Sequence, residues 1–363
     1  MKHCSPKVMN SQAQTFVLTN LWTYAKHGHA KSELYQVQDL LNSLRYESHM
    51  IGLSYEFDSS RIISLGRLAH KFKLDHKRAF KPWVDRKLIQ DLELSLLKVS
   101  NSSTKTVEKI VFTSAKFNHV SELGKLWEGT NNLSLRLIES PRQSEKWNNI
   151  LKLIQKANFR TTLAIEHKKS ALEGQSFFSR TMHVPAAQSL KLESDQVNSS
   201  RNRVGIFFPV GRPLDLNFGV ALIHAVKHLN PIVKLPSYLN SRRFISMYPE
   251  VEFIERDVSD ERLGGILSTI RVAILAHDNY VNRSSAYASY FVSNGVPTLT
   301  QKSNDFESEF GDDYLFSLPQ DLKQISGLIR DLESGFGTIS PSPFSRYAKL
   351  QWTEFLLDGL KKD

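Results

Sequence analysis

Residues 204–229 read VGIFFPVGRPLDLNFGVALIHAVKHL. Val204, Ile206, Phe207 and Phe208 form an apolar run of strand length, Pro209 and Gly211 interrupt it, and residues 216–229 carry apolar side chains at helical spacing. A strand apolar on both faces, handed through a short turn to a helix, is one step of a parallel sheet, because such a strand needs a helical layer on each side. The alternation continues downstream, with strands expected at 232–235, 251–254, 272–276, 296–299 and 314–316. Helices are expected between and after them, at 242–248, 261–270, 285–293 and 322–332. Upstream, residues 186–202 lose all periodicity among Ser, Asn and scattered charges, as a linker does. Before the linker the pattern runs once more, with strands at 15–18, 50–53, 110–112, 133–138 and 161–165 and helices from 32, at 120–127 and at 147–154. The expected organisation is α/β, with two Rossmann-like doubly wound domains at 1–190 and 203–340 and a ligand cleft between them. A last helix at 343–363 carries Leu350, Trp352, Phe355, Leu356 and Leu360, which suit packing back across the junction.

A chain of 363 residues is long enough for two cores without disulfides or metal clips. The single cysteine, Cys4, cannot form an intrachain disulfide, and no Cys/His spacing suggests zinc, so a reducing, cytoplasmic setting is expected. The first 14 residues lack the apolar stretch of a signal peptide, and runs such as 204–210 are too short to span a bilayer. The net charge of +10 is unevenly placed. Residues 1–195 carry 29 Lys and Arg against 18 Asp and Glu, whereas 196–363 carry 18 against 19. Its densest part runs from Arg61 to Lys87, where Lys71, Lys73, Lys77 and Arg78 interleave with Phe72, Phe80 and Trp83. That segment reads as a basic amphipathic helix, either a solvated face or a docking site for an anionic membrane surface at the inner leaflet.

Residues 277–286 lie between an expected strand and an expected helix and read HDNYVNRSSA, with Gly295-Val296-Pro297 following. A helix opening at Ser284 or Ser285 directs free N–H groups and a positive dipole end outward, and Arg283 adds a donor fork suited to phosphate oxygens. The plainer reading makes Ser285 a helix cap and Arg283 a surface residue. Gly211 and Arg212, at the end of the strand 204–208, offer a tight turn and a second guanidinium toward the cleft. In the first domain, Asn20, His27, Gly28 and His29 occupy the equivalent loop, His119 follows the strand 110–112, and Glu166 ends the strand 161–165. Each is a candidate for the acceptor side, and each also fits a solvated helix start. The chain has no P-loop, no Gly-x-Gly-x-x-Gly fingerprint, no nucleophile elbow and no zinc-protease helix, which removes the main support for NTPases, dehydrogenases and hydrolases.

These pieces resemble those of the GT-B glycosyltransferases, specifically the nucleotide-sugar-dependent family that includes many bacterial cell-surface polysaccharide transferases. The likeness rests on Gly211-Arg212 after a strand, on Tyr280, Arg283, Ser285 and Ala286, on Gly295-Val296-Pro297, and on Lys26-His27-Gly28-His29 in place of a glycine-rich acceptor loop. It implies that the second domain holds a nucleotide sugar, with Gly211, Arg212, Arg283, Ser284 and Ser285 on the diphosphate and Tyr280, Asn282 and Tyr290 near the nucleotide or sugar. It also implies an acceptor side in the first domain formed by Asn20, His27, Gly28 and Glu166, with His29 or His119 as the catalytic, acceptor-orienting group. The sequence departs from that family where its paired glutamates fall, since Asn282 and Tyr290 stand there. The leading expectation is a metal-independent, cofactor-free transferase acting on a glycan or lipid-linked acceptor in polysaccharide biosynthesis. The competing one is a non-catalytic GT-B-like module that binds a nucleotide, glycan or protein, which the missing carboxylates favour. Nucleic-acid binding rests on N-terminal charge alone.

Overall fold

The computed structural model describes residues 15–20, 30–52, 62–64, 107–115, 132–137, 161–175, 181–190, 201–208, 216–235, 241–254, 260–276, 285–301, 304–311, 313–335 and 342–360. Their strands form two wholly parallel sheets. The first has the order β3-β2-β1-β4-β5-β6-β7, from β1 (Thr15–Asn20), β2 (Glu47–Gly52), β3 (Ile62–Ser64), β4 (Val107–Ala115), β5 (Asn132–Leu137), β6 (Thr161–Ile165) and β7 (Thr181–His183). The second has the order β10-β9-β8-β11-β12-β13, from β8 (Arg203–Phe207), β9 (Pro231–Lys234), β10 (Glu252–Phe253), β11 (Ile270–Leu275), β12 (Thr298–Thr300) and β13 (Leu315–Ser317). In each sheet the first strand in sequence lies mid-sheet and the chain winds outward from it in both directions, the doubly wound topology read from the alternation.

The described helices are α1 (Ala30–Ser43), α2 (Lys168–Gln175), α3 (Leu216–Val226), α4 (Ser241–Met247), α5 (Asp260–Ser268), α6 (Ala286–Ser293), α7 (Asn304–Phe310), α8 (Ile325–Gly335) and α9 (Pro343–Leu357). Strand β8 and the residue after it show why the run from Val204 is apolar on both faces. Val204, Ile206 and Phe208 enter a core with α3, α4 and α8, while Phe207 faces a second core with Tyr287 and Phe291 of α6. Gly205 is fixed by this packing, because a Cβ there would lie 2.5 Å from the Phe207 ring and 3.1 Å from Ile270.

Helix α9 crosses to the first sheet. Trp352, Phe355 and Leu356 are fully buried in one cluster with Phe16 and Leu18 of β1, Val111 of β4 and Leu34, Val37 and Leu41 of α1. The Trp352 indole N–H donates to the Pro185 carbonyl at 3.0 Å. Lys109, buried on β4, donates from Nζ to the carbonyls of Phe355 at 3.0 Å and Asp358 at 2.7 Å, satisfying acceptors that the helix end leaves open. Burial lowers the Lys109 ammonium to about 8.

Several sequence expectations change. Residues 62–64, the start of the segment read as a basic amphipathic helix, are strand β3, paired in parallel with β2. Ile62 and Ile63 are β-branched and extend a sheet edge there, and the rest of Arg61 to Lys87 lies outside the described residues. Ile270 opens strand β11 rather than closing helix α5. The linker read as aperiodic contains a 3-10 turn, Ala187–Ser189. Two short elements, β7 and α7, carry no periodic signal in the sequence. Among the described residues no helix is long and apolar enough to cross a membrane.

Candidate functional site

In an open parallel sheet, ligands bind outside the carboxyl ends of the strands. At that edge of the first sheet a guanidinium lies between two carboxylates. Arg136, next to last in β5, is fully buried. Its Nε donates to the Val184 carbonyl at 2.9 Å and its Nη1 to the Thr113 carbonyl at 2.8 Å and to Glu33 Oε1 at 3.1 Å. Its Nη2 is 3.0 Å from Glu166 Oε2, and the Trp352 ring of α9 lies 5.2 Å from the guanidinium carbon. Ser114, near the end of β4, donates its hydroxyl to Glu33 Oε1 at 2.8 Å. Glu33 arrives from the first turn of α1, where a carboxylate also complements the helix dipole.

Burial is the largest influence on both acids. It pushes Glu33 up to about 7 against the opposing pull of Arg136, and the charge of Glu166 adds to the rise. Glu166 is raised for the same first reason, with Glu309 and Arg136 acting in opposite senses. Both acids are thus held against ionisation by the burial that the strand edge imposes.

A second cluster adjoins the first. His183, last in β7, has Nε2 at 2.9 Å from the Glu166 carbonyl and 3.0 Å from Glu309 Oε1, and Nδ1 at 2.7 Å from the Tyr347 hydroxyl. Glu309 belongs to α7 and Tyr347 to α9, so this contact joins the two sheets' units. Burial, followed by Glu309, pushes the Tyr347 phenol up to about 12.

Of the sequence candidates, Glu166 is in the cluster, and it is no solvated helix start as the plainer reading had it. Asn20 ends β1 in register with Ser114, which places it at the same edge. Ser285 caps α6: its hydroxyl accepts the Ala288 N–H at 3.3 Å, and the residue is buried. Gly295 and Val296 stop that helix. Gly295 has φ of +65° and donates to the Val292 carbonyl, while Val296 donates to Phe291, the paired bonds of a left-handed helix termination. Tyr290 lies within α6, edge-on to Phe291 at 5.4 Å. His27, Gly28, His29, His119, Gly211, Arg212, Tyr280, Asn282, Arg283 and Ser284 lie outside the described residues.

Sequence reading missed Glu33, Arg136, His183 and Glu309. Arg136 left a usable signal, a charge inside the apolar run Leu133 to Leu137, whereas Glu33 looked like an ordinary first-turn acid. Among the described residues no group of three or more His, Cys, Asp or Glu is arranged to hold a metal. A cavity of about 1070 Å3 is lined by α3, α4 and the turn before α8, including Val220, His224, Phe244 and Leu322. It lies in the helical layer of the second unit, away from the strand-edge acids.

No protein-family model matches the chain. No curated protein matches it in sequence. Solved structures do match in fold. A Listeria monocytogenes protein assigned as a UDP-N-acetylglucosamine 2-epimerase has a TM-score of 0.57 at 10% identity, covering 95% of this chain and 96% of that one. AviGT4, a glycosyltransferase involved in avilamycin A biosynthesis, has 0.52 at 12%, covering 93% of each chain. MnaA of S. aureus, solved with UDP, has 0.51 at 10%, covering 95% and 97%. The similarity runs through both sheets, and the chain has the GT-B fold.

Proposed function

We propose that this protein transfers a glycosyl group from a nucleotide sugar to a hydroxyl-bearing glycan or lipid-linked acceptor, with the donor on the second unit and the acceptor on the first. The observation that carries this reading is the Glu33–Arg136–Glu166 cluster at the carboxyl edge of the first sheet, where an acceptor hydroxyl would meet a group able to take its proton. The similar folds of AviGT4 and of MnaA, the latter holding UDP, support the ligand class. In this reading Arg212 and Arg283 neutralise charge growing on the departing diphosphate, which needs no metal. The non-catalytic reading is favoured by Asn282 and Tyr290 in place of the paired glutamates, and binding without turnover would establish it.

The test is calorimetry with UDP, GDP and dTDP, followed by product analysis with the sugar nucleotide of whichever binds. Arg283→Ala is expected to weaken that binding by about 1.5–3 kcal/mol, the range for a hydrogen bond to a charged group. Absence of binding by every nucleoside diphosphate would end the donor-site reading. Release of an epimer rather than UDP would move the chain to the chemistry named for the Listeria monocytogenes protein.

A further inference from the structure

Glu309 sits one residue from the end of α7, in the second unit, and is 3% exposed. Its carboxylate nevertheless contacts the first unit through both oxygens. Oε1 faces His183 Nε2 at 3.0 Å, and Oε2 accepts the backbone N–H of Lys168, the opening residue of α2, at 2.7 Å. The first N–H groups of a helix have no partner inside it, so Glu309 caps α2 from another unit. The His183 nitrogen that meets Glu309 also bonds the Glu166 carbonyl. Glu166 is therefore held at both ends, its main chain through the seam with the second unit and its side chain by Arg136.

We propose that Glu309 is a positioning residue: docked from the second unit, it fixes where Glu166 stands in the Glu33–Arg136–Glu166 cluster on the first. The proposal rests on reading that cluster as part of the acceptor site, but the cluster's dependence on Glu309 is measurable whatever the substrate. The carboxylates of Glu33, which is buried, and of Glu166, which is partly exposed, share one buried guanidinium, and that of Glu309, also buried, faces His183 beside them. Burial raises Glu166 most, and the charge of Glu309 adds to that rise, so a carboxylate of the second unit bears directly on the acid that pairs with Arg136. The other groups around Glu309 are His183 from β7, Lys168 from α2, Tyr347 from α9, Glu307 on its own helix, and Asp313, which lines the same cavity of about 250 Å3. The Lys168 ammonium lies 5.9 Å from the Tyr347 ring centre.

The experiment is a carboxyl-carbon NMR titration of protein labelled at glutamate, with the Glu166 resonance assigned by its loss in Glu166→Gln. In folded Glu309→Gln, removal of one buried negative charge is expected to lower the Glu166 midpoint by about half a pH unit or more. Glu309→Asp, which keeps the charge, should hold the midpoint near that of the parent. A role confined to holding the units together predicts a lower Tm in Glu309→Gln with the Glu166 titration superimposed on the parent, and that result would overturn the proposal. If Glu309→Gln does not fold, His183→Gln cuts the shared contact to the Glu166 carbonyl, and an unchanged Glu166 midpoint there overturns it equally. Loss of the function reading is seen separately: a parent protein that binds no nucleoside diphosphate sinks the donor site and leaves the titration result standing.

Discussion

Arg136 concentrates the chemistry of the first unit in one side chain. A buried guanidinium is tolerated because two main-chain carbonyls and Glu33 accept from its Nε and Nη1, and the Glu166 carboxylate pairs with its Nη2 as a counter-ion. The cost falls on the acids. Glu33 in the folded protein holds its proton up to about pH 7, whereas an unfolded chain releases it near the ordinary glutamate value of 4.5. Between those values the folded state binds more protons than the unfolded one, so stability falls as pH rises through that window. Glu33→Gln keeps the uncharged form at every pH. Thermal unfolding followed from pH 4 to 8 is therefore expected to show a shallower decline in Tm for Glu33→Gln than for the parent. An unchanged slope would mean that Glu33 ionises freely and is not the proton-holding group of the cluster.

Helix α9 illustrates how one element serves two units. Its start packs against the second, through Phe344 beside Phe310 at 5.0 Å, and its later turns bury Trp352, Phe355 and Leu356 in the first. The amphipathic spacing made the crossing legible, since no continuous face of the second unit needed those residues. Trp352→Ala removes the ring that fills the first core and lies beside Arg136, and is expected to cost about 3–5 kcal/mol in urea unfolding. A loss below about 1 kcal/mol would show that the first unit closes its core without α9. Helix α6 shows the opposite outcome for motif reading. Ser285 and Gly295-Val296-Pro297 carried the family resemblance, yet each has a complete local explanation as the cap and the stop of one helix. Their presence specifies the helix whether or not a diphosphate binds beside it.

At the scale of the whole molecule, the excess positive charge belongs to the N-terminal half, with +11 before residue 196 and −1 after it. If that charge brings the first unit to anionic lipid, vesicle pelleting should fall steeply with salt, since screening acts within about 8 Å at physiological ionic strength. Replacing Lys71, Lys73, Lys77 and Arg78 with Gln should abolish pelleting with anionic vesicles and leave the behaviour with neutral ones unchanged. Equal pelleting of parent and variant would make the segment an ordinary solvated surface. The alternation of apolar runs and helical spacing determined two parallel sheets and the returning helix, because burial on both faces imposes its pattern on neighbouring residues. It also placed Asn20 and Glu166 at a strand edge. Short elements escaped: β7 has three residues and α7 seven, too few for a period to show. Tertiary structure alone decided the site's partners. Glu33, Arg136, Glu166, His183 and Glu309 are scattered over 276 positions of sequence and meet only because parallel strands bring their carboxyl ends to one edge and the second unit closes against it.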